Sequence, residues 1–417
     1  MKKGTALGLA LLLAIPSMSS VALADGVEEV VENGELVEDA DSEEVIEEIE
    51  LELIDSLSLE TVLELALEDN YNLLLLNYQL ELLESQTGGT NKNYSETAFD
   101  IRDLERTKKR LQKSGSSGTF AERLQIQNQL EALQDKIDMV EDALDKVESG
   151  QISLIYSEEE AKANIKMATT ATYTQLLIAA EQQELKKKAL KVKEKEVAKK
   201  KRQYDLGVLS RDDHSKELRE IERQEIQLEL DKKEWDKNLA EFTLDLGVVY
   251  HPDLTLQPLN LDELKLVEQQ LTTPELIENS FKYKSQVEAI ELAEKQRVRV
   301  HDDKDSESYD KTQADLSVKI EKEKLEQLKL SAVTSIRQLF YDVEDGYQAI
   351  LDAERELKFA QEDHKTLKRR FELGLVAYVD YELASIRVDQ AELARDVAKE
   401  SYFLMTKKVE LLEAGVL

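Results

Sequence analysis

One pattern occurs twice in this chain, as Arg202-Gln203-Tyr204-Asp205-Leu206-Gly207-Val208-Leu209 and as Arg369-Arg370-Phe371-Glu372-Leu373-Gly374-Leu375-Val376, the copies lying 167 residues apart. Each is followed by an acid, Asp213 and Asp380. A long stretch of Lys, Glu and Leu runs into each Gly and a similar stretch resumes just after it. Glycine releases a chain from a helix C-terminus through a left-handed conformation, and an acid suits the first turn of the helix that follows. Each copy therefore predicts the tip of a helical hairpin, and the chain is an internal duplication.

Composition agrees with long helices. Only 4 Pro and 14 Gly occur in 417 residues, with 34% charged and 6% aromatic residues. So few chain-reversing residues predict an extended all-α molecule with a thin, repetitive core. The net charge of -33 argues against nucleic acid or anionic lipid as a partner, since both are recognised through Lys and Arg.

Residues 1–24 have a basic start (Lys2, Lys3), an apolar run from Ala6 to Ile15 and Ala22-Leu23-Ala24 before Asp25. This predicts a secretory signal peptide, the apolar run being too short for a membrane span. Positions 25–56 form an acidic leader: fifteen Asp and Glu and no Lys or Arg lie between Asp25 and Asp55. Such a run repels itself and is expected to be disordered. A tether that holds the body off an anionic cell wall, or weak binding of divalent cations, is the sharper alternative. The absence of Cys excludes disulfides.

The folded body is expected from Ser58, a plausible N-cap for an apolar-periodic run through Val62, Leu63, Leu65, Ala66, Leu73 and Leu76. A second start is Thr273-Pro274-Glu275-Leu276-Ile277, with Pro at the first helical position. This divides the chain into a first repeat at 57–247, a connector at 248–270 containing Tyr250-His251-Pro252-Asp253, and a second repeat at 271–417. Ile221, Leu228, Trp235 and Phe242 recur every seven residues, as do Val397, Leu404 and Leu411, and Ala384, Ala391 and Ala398 form a small-residue row. Seven-residue repeats wind neighbouring helices together. The run Thr312 to Phe371 has no Pro and one Gly and would extend about 90 Å as a helix. A helix that long needs partners along its length, which favours an oligomer.

Taken together, Tyr204-Asp205-Leu206-Gly207-Val208, Phe371-Glu372-Leu373-Gly374-Leu375-Val376-Ala377-Tyr378-Val379-Asp380 and the opening Ser58-Leu59-Glu60-Thr61-Val62-Leu63-Glu64-Leu65-Ala66-Leu67-Glu68-Asp69-Asn70, in two repeats behind a signal peptide, resemble the TolC family of outer-membrane efflux ducts. The resemblance implies a trimer whose protomers each give four helical strands to a hollow cylinder, with the hairpin tips meeting a membrane-fusion adaptor of an export pump. Carried onto this chain, the contacting tips are Leu206, Gly207, Val208, Leu209 and Leu373, Gly374, Leu375, Val376, with Arg202 and Arg369 beside them. The plainer alternative is that these residues only turn the chain.

The family inserts a pair of β-strands between the first two helices of each repeat, and three protomers together close a membrane barrel. In the first repeat of this chain that slot, 88–150, contains Ile126, Leu130, Leu133, Ile137, Val140, Leu144 and Val147 at alternating spacings of four and three, and Ser114-Gly115-Ser116-Ser117-Gly118 joins it to a preceding helix with Ile101, Leu104 and Leu111. It predicts an inserted helical hairpin. In the second repeat the slot, Arg297 to Lys311, lacks the apolar alternation of a membrane strand and is heavily charged. No transmembrane barrel and no direct spanning of a bilayer are therefore expected, which suggests an envelope without an outer membrane.

No catalytic arrangement is expected. His214, His251, His301 and His364 are scattered, and the acidic run from Asp302 to Glu307 lacks the Gly and closing Glu of a calcium loop. Tyr204 and Phe371 are expected to be core residues near the tips rather than a ligand-stacking pair. The reading is an exported, non-enzymatic TolC-like duct component with no cofactor and no metal. It would belong to the outer membrane or periplasm where the host has them, and otherwise to the cell surface or medium. The competing reading is a secreted coiled-coil structural or interaction protein that kept the scaffold and conducts nothing.

Overall fold

A computed structural model describes residues 54–68, 70–113, 120–261, 263–303 and 306–417. The signal segment, most of the acidic leader, the Ser114–Gly118 joint, and Lys304 and Asp305 lie outside the described residues. The order is β1 (Ser56–Leu57), α1 (Leu59–Glu68), α2 (Tyr71–Lys113), α3 (Phe120–Asp205), α4 (Arg211–Asp245), β2 (Thr255–Leu256), α5 (Thr273–Asn279), α6 (Phe281–Asp302), α7 (Ser308–Glu372) and α8 (Tyr378–Glu413). Each repeat opens in the same way, with a short helix, a polar cap and then a long helix. The Ser58 hydroxyl accepts from the Thr61 amide, Asn70 Oδ1 from the Asn72 amide, and Ser280 Oγ from the Tyr283 amide. At the head of α5, the Glu275 carboxylate accepts from the Thr272 amide.

The two long helices of the first repeat run without interruption through the slot assigned to a separate insert. They have 43 and 86 residues in α2 and α3, against 22 and 65 in their counterparts α6 and α7, so each is 21 residues longer. The seam residues Ile126, Leu130, Leu133, Ile137 and Val140 are half-buried between exposed neighbours. Two helices alone cover only one side of each other. Residues at 304–305 apart, the second slot is the end of α6, a short turn and the start of α7, and β1 and β2 are the only strands among the described residues.

Which helices touch decides the architecture. Alongside the tips the packing order is α4, α3, α8, α7, and towards the other end it is α2, α3, α6, α7. In α3 the two halves meet different partners: Lys188 and Lys195 bond Asp389 and Glu382 of α8, whereas Asp142, Asp145 and Glu160 bond Arg299, Lys295 and Lys282 of α6. The long helices thus make one layer with two open edges, α7 on one side and α4 with α2 on the other. Large apolar side chains stand exposed on both edges. Tyr71, Leu75, Tyr78 and Leu82 of α2 follow a four-three-four spacing, Leu218, Ile226 and Leu230 lie on α4, and Leu316, Ile320 and Leu330 lie on α7.

The core is deepest where the connector crosses the layer. Leu57, Val62, Tyr173, Leu239, Phe242, Leu246 and Val248 form one buried cluster. The Tyr173 hydroxyl lies 2.9 and 2.6 Å from the carbonyl oxygens of Leu57 and Gln257, tying β1 and β2, which pair in parallel, to α3. Tyr402 does the same for the other side of the connector, donating to the Lys265 carbonyl at 2.7 Å and accepting from the Val267 amide at 3.0 Å. On α4 the seven-residue row is a seam, with Phe242 and Leu239 buried and the Trp235 indole donating to the Leu176 carbonyl. On α8 the deepest burial falls on Tyr402, Val409 and Leu412, while Val397, Leu404 and Leu411 are half-buried. A helix clamped by neighbours on two sides, α3 and α7, carries two seams, and the row of seven marks only the shallower. Gly346 permits close approach here, since a methyl at that position would come within 2.7 Å of Met405 Sδ.

Candidate functional site: the paired hairpin tips

The two tips share one backbone turn. Gly207 and Gly374 both have φ of 74°. The Gly207 amide donates to the Tyr204 carbonyl at 2.9 Å and the Val208 amide to the Gln203 carbonyl at 2.9 Å; the corresponding bonds from Gly374 and Leu375 reach Phe371 and Arg370 at 2.8 and 2.9 Å. This is the helix-ending motif that a left-handed residue makes possible, and it satisfies carbonyls that the helix leaves open. The following helices start differently. Ser210 Oγ accepts from the Asp213 amide at 3.1 Å, whereas Ala377 stands at the same place with no side-chain cap.

The apolar residues divide into two sets. Leu206 and Val208 are 79% and 77% exposed and Leu373 and Leu375 74% and 72%, whereas Leu209 and Val376 turn in and are half-buried. Arg202 and Arg369 are exposed beside them. Four large aliphatic side chains therefore project into solvent in two equivalent pairs.

Both tips lie at one end of the layer. Lys195 and Lys188 of α3 bond Glu382 and Asp389 of α8, an antiparallel register that brings the end of α3 beside the start of α8. Burial would raise the Glu382 carboxyl, but the Lys195 ammonium, 2.5 Å away, outweighs it and holds the group below its usual range. The same ammonium sits 5.3 Å over the Tyr378 ring. Within the first hairpin, Lys200 and then Lys193 hold Glu217 low. The tips are thus fixed laterally by ion pairs across helices.

Tyr204 and Phe371 are rungs across the hairpins rather than core residues. Tyr204 stacks on His214 with ring centres 5.0 Å apart, and Phe371 stacks on Tyr381 at 5.2 Å. His214 and Tyr381 occupy equivalent positions of the two repeats. Laying one repeat on the other would have exposed the pairing, but neither residue belongs to the repeated pattern itself. Among the described residues no group of His, Asp and Glu is arranged to hold a metal ion.

The fold recurs in solved structures. The Campylobacter jejuni CmeC outer membrane channel aligns over 86% of this chain and 85% of its own, with a TM-score of 0.56 at 13% identity. The open state of the Neisseria gonorrhoeae MtrE outer membrane channel aligns over 86% and 89%, with a TM-score of 0.55 at 13% identity. The chain has the fold of a TolC-like channel protomer. A membrane protein from Pseudomonas aeruginosa gives 86% and 90% at a TM-score of 0.54 and 13% identity. No family model and no curated protein matches the sequence. The TolC-like likeness is therefore carried by helix lengths, order and packing. In the two slots where that family has barrel strands, the described residues of this chain are helical apart from the short turn between α6 and α7, and no described helix is long and apolar enough to cross a membrane.

A second feature lies in the seam between α3 and α8. Glu400 is 5% exposed and its Oε2 has no hydrogen-bond partner. Burial, then the neighbouring Glu181 and Asp396, push its carboxyl up to about 8. Glu181 is raised as well, by burial and by Asp396. Glu400 is therefore a neutral acid in a neutral solution, and periodicity gave no sign of it.

Proposed function

We propose that this chain is one protomer of an envelope duct, closed by further copies along its open edges and docked through its two tips on a membrane-fusion adaptor of an export pump. The supporting observation is the tip geometry: two equivalent turns at one end, each presenting a pair of exposed aliphatic residues on a rigid helical base. Turning the chain requires Gly207 and Gly374. It does not require Leu206, Val208, Leu373 and Leu375 to face water, and apolar residues grouped on a surface mark interaction sites. The open edges support closure, because an apolar four-three-four stripe such as that on α2 is the pattern a neighbouring helix fills. A trimer is the stoichiometry the TolC-like fold suggests, with no enzymatic step. The helical slots favour one other reading, a secreted coiled-coil interaction protein that forms no conduit.

The test is affinity capture from the native host with the wild type and with Leu206→Asp/Leu373→Asp, whose equal helicity is first checked by circular dichroism. An adaptor-like envelope protein should be retained by the wild type and lost with the variant. If both capture the same partners, or neither captures such a protein, the interaction-protein reading is the better account.

A further inference from the structure

The two repeats are alike in their helices but not in their neighbours. Helix α3 packs on four long helices, α2 and α4 of its own repeat and α6 and α8 of the other. Its counterpart α7 packs on α6 and α8 of its own repeat and makes no comparable contact with α2 or α4. Those two are also the long helices whose one extended contact is with α3. They stand on the opposite edge of the layer from α7, so a single chain cannot complete the set. A second copy can.

The seam inside the chain supplies a register for that contact. Lys188 of α3 pairs with Asp389 of α8 at 3.0 Å, and Ser153 of α3 meets Ser285 of α6 with the hydroxyl oxygens 3.1 Å apart. Residues of α7 match those of α3, and residues of α8 those of α4, at the 167-residue spacing of the tips. Asn70 and Ser280 cap the matching helices α2 and α6, so Leu75 and Ser285, each five residues on, are equivalent.

Carried to the open edges, the Lys188–Asp389 pair becomes Arg355 and Glu222, again a cation on the long helix and an acid on the last. Both are exposed. Arg355 is paired with Asp352, one turn back on its own helix, and Glu222 has no ion-pair partner among the described residues. The Ser153–Ser285 contact becomes Ile320 and Leu75, 55% and 56% exposed. One turn from Arg355 and Glu222 the same register sets Phe359 opposite Leu218, both exposed. Glu160 and Lys282, an ion pair inside, become Gln327 and Asn72, two amides able to hydrogen-bond. The Lys195–Glu382 pair has no counterpart, since Glu362 and Ser215 stand there.

The shift from polar contacts inside to aliphatic ones outside has a physical reason. Helices of one chain are held together by their connections. Separate copies must offset lost translational and rotational freedom, which burial of apolar surface does and exposed ion pairs do not.

We propose that α7 of one copy packs on α2 and α4 of the next in the register that α3 keeps with α6 and α8, setting Ile320 on Leu75, Phe359 on Leu218 and Arg355 beside Glu222. Such a head-to-tail contact repeats into a ring where its rotation closes. The proposal rests on the duct reading and adds which surfaces of two copies meet, and where.

The chain has no Cys, so a pair of introduced thiols reports only its own contact. With Leu75→Cys/Ile320→Cys, mild oxidation of the full chain should join copies and give two- and three-chain bands on a non-reducing denaturing gel. Ser153→Cys/Ser285→Cys should instead close within one chain and leave a single-chain band. Leu82→Cys/Ile320→Cys moves one thiol two turns, about 10 Å, along α2 and should cross-link at least about tenfold less, since a disulfide needs Cα atoms within about 7 Å. Arg355→Glu and Glu222→Arg should each raise the concentration at which the assembly dissociates about fivefold, and the two together should restore it. If the chain assembles by native mass spectrometry but Leu82→Cys joins as readily as Leu75→Cys, or neither joins, the register is overturned and closure stands. A double charge reversal no better than the single ones would overturn it too. A wild type that stays monomeric would remove closure and the register together.

Discussion

Replacing Glu400 by Gln should stabilise the protein by an amount that grows with pH. In the folded chain this carboxyl ionises at about 8 against an ordinary 4.5. The folded state therefore holds the proton more tightly than the unfolded state. Below about 4.5 both states are protonated and the group has no effect. As pH rises from 4.5 towards 8 the unfolded chain ionises first, and stability falls by about 1.4 kcal/mol per pH unit. At pH 7 the deficit is about 3 kcal/mol, and above about 8 it levels off. Gln has nearly the same shape, cannot ionise, and leaves the unbonded position at Oε2 no worse served than a neutral acid does. Urea unfolding followed by far-ultraviolet circular dichroism, repeated from pH 4 to pH 8, should show the two proteins alike at the acid end and the variant about 3 kcal/mol more stable at pH 7. Parallel curves across the range would refute the assignment of Glu400 as a buried neutral acid.

Gly207→Val and Gly374→Val should each cost roughly 1 to 2 kcal/mol. The cause would be φ of 74° alone, because an added methyl meets nothing within 4 Å at either site, and the far seams should keep their helicity by circular dichroism. Tyr402→Phe should lower stability by about 1 to 3 kcal/mol in the same denaturation assay, because it strands the Lys265 carbonyl and the Val267 amide that the hydroxyl now serves. A loss below a few tenths of a kcal/mol would mean the connector is not held there.

The duplication was legible because it rests on local rules. A left-handed glycine, a helix cap and a seven-residue row each depend on neighbours a few positions away, so the turns at Gly207 and Gly374 and the seam through Trp235 and Phe242 could be read directly. The length of α3 was not legible. The half-buried stripe from Ile126 to Val147 reads as one arm of an inserted hairpin, and only the unbroken course of α3 from Phe120 to Asp205 shows it to be one helix with the segment that ends at the tip. Tyr204 and Phe371, as equivalent positions on two hairpins, read as core residues near the tips. Their rungs to His214 and Tyr381 depend on the pairing of two helices, which a single strand of sequence does not display. Glu400 was invisible for the same reason, since its ionisation is set by α3 lying against α8.

Closure of the open layer by further copies is the claim on which the duct depends, and the mass of the assembly tests it most directly. Native mass spectrometry of the full chain at micromolar concentration should give a trimer, and Leu75→Glu with Leu230→Glu, which charges the exposed α2 and α4 edge, should give monomers of unchanged helicity. A wild-type monomer, or a trimer that persists with that edge charged, would contradict it.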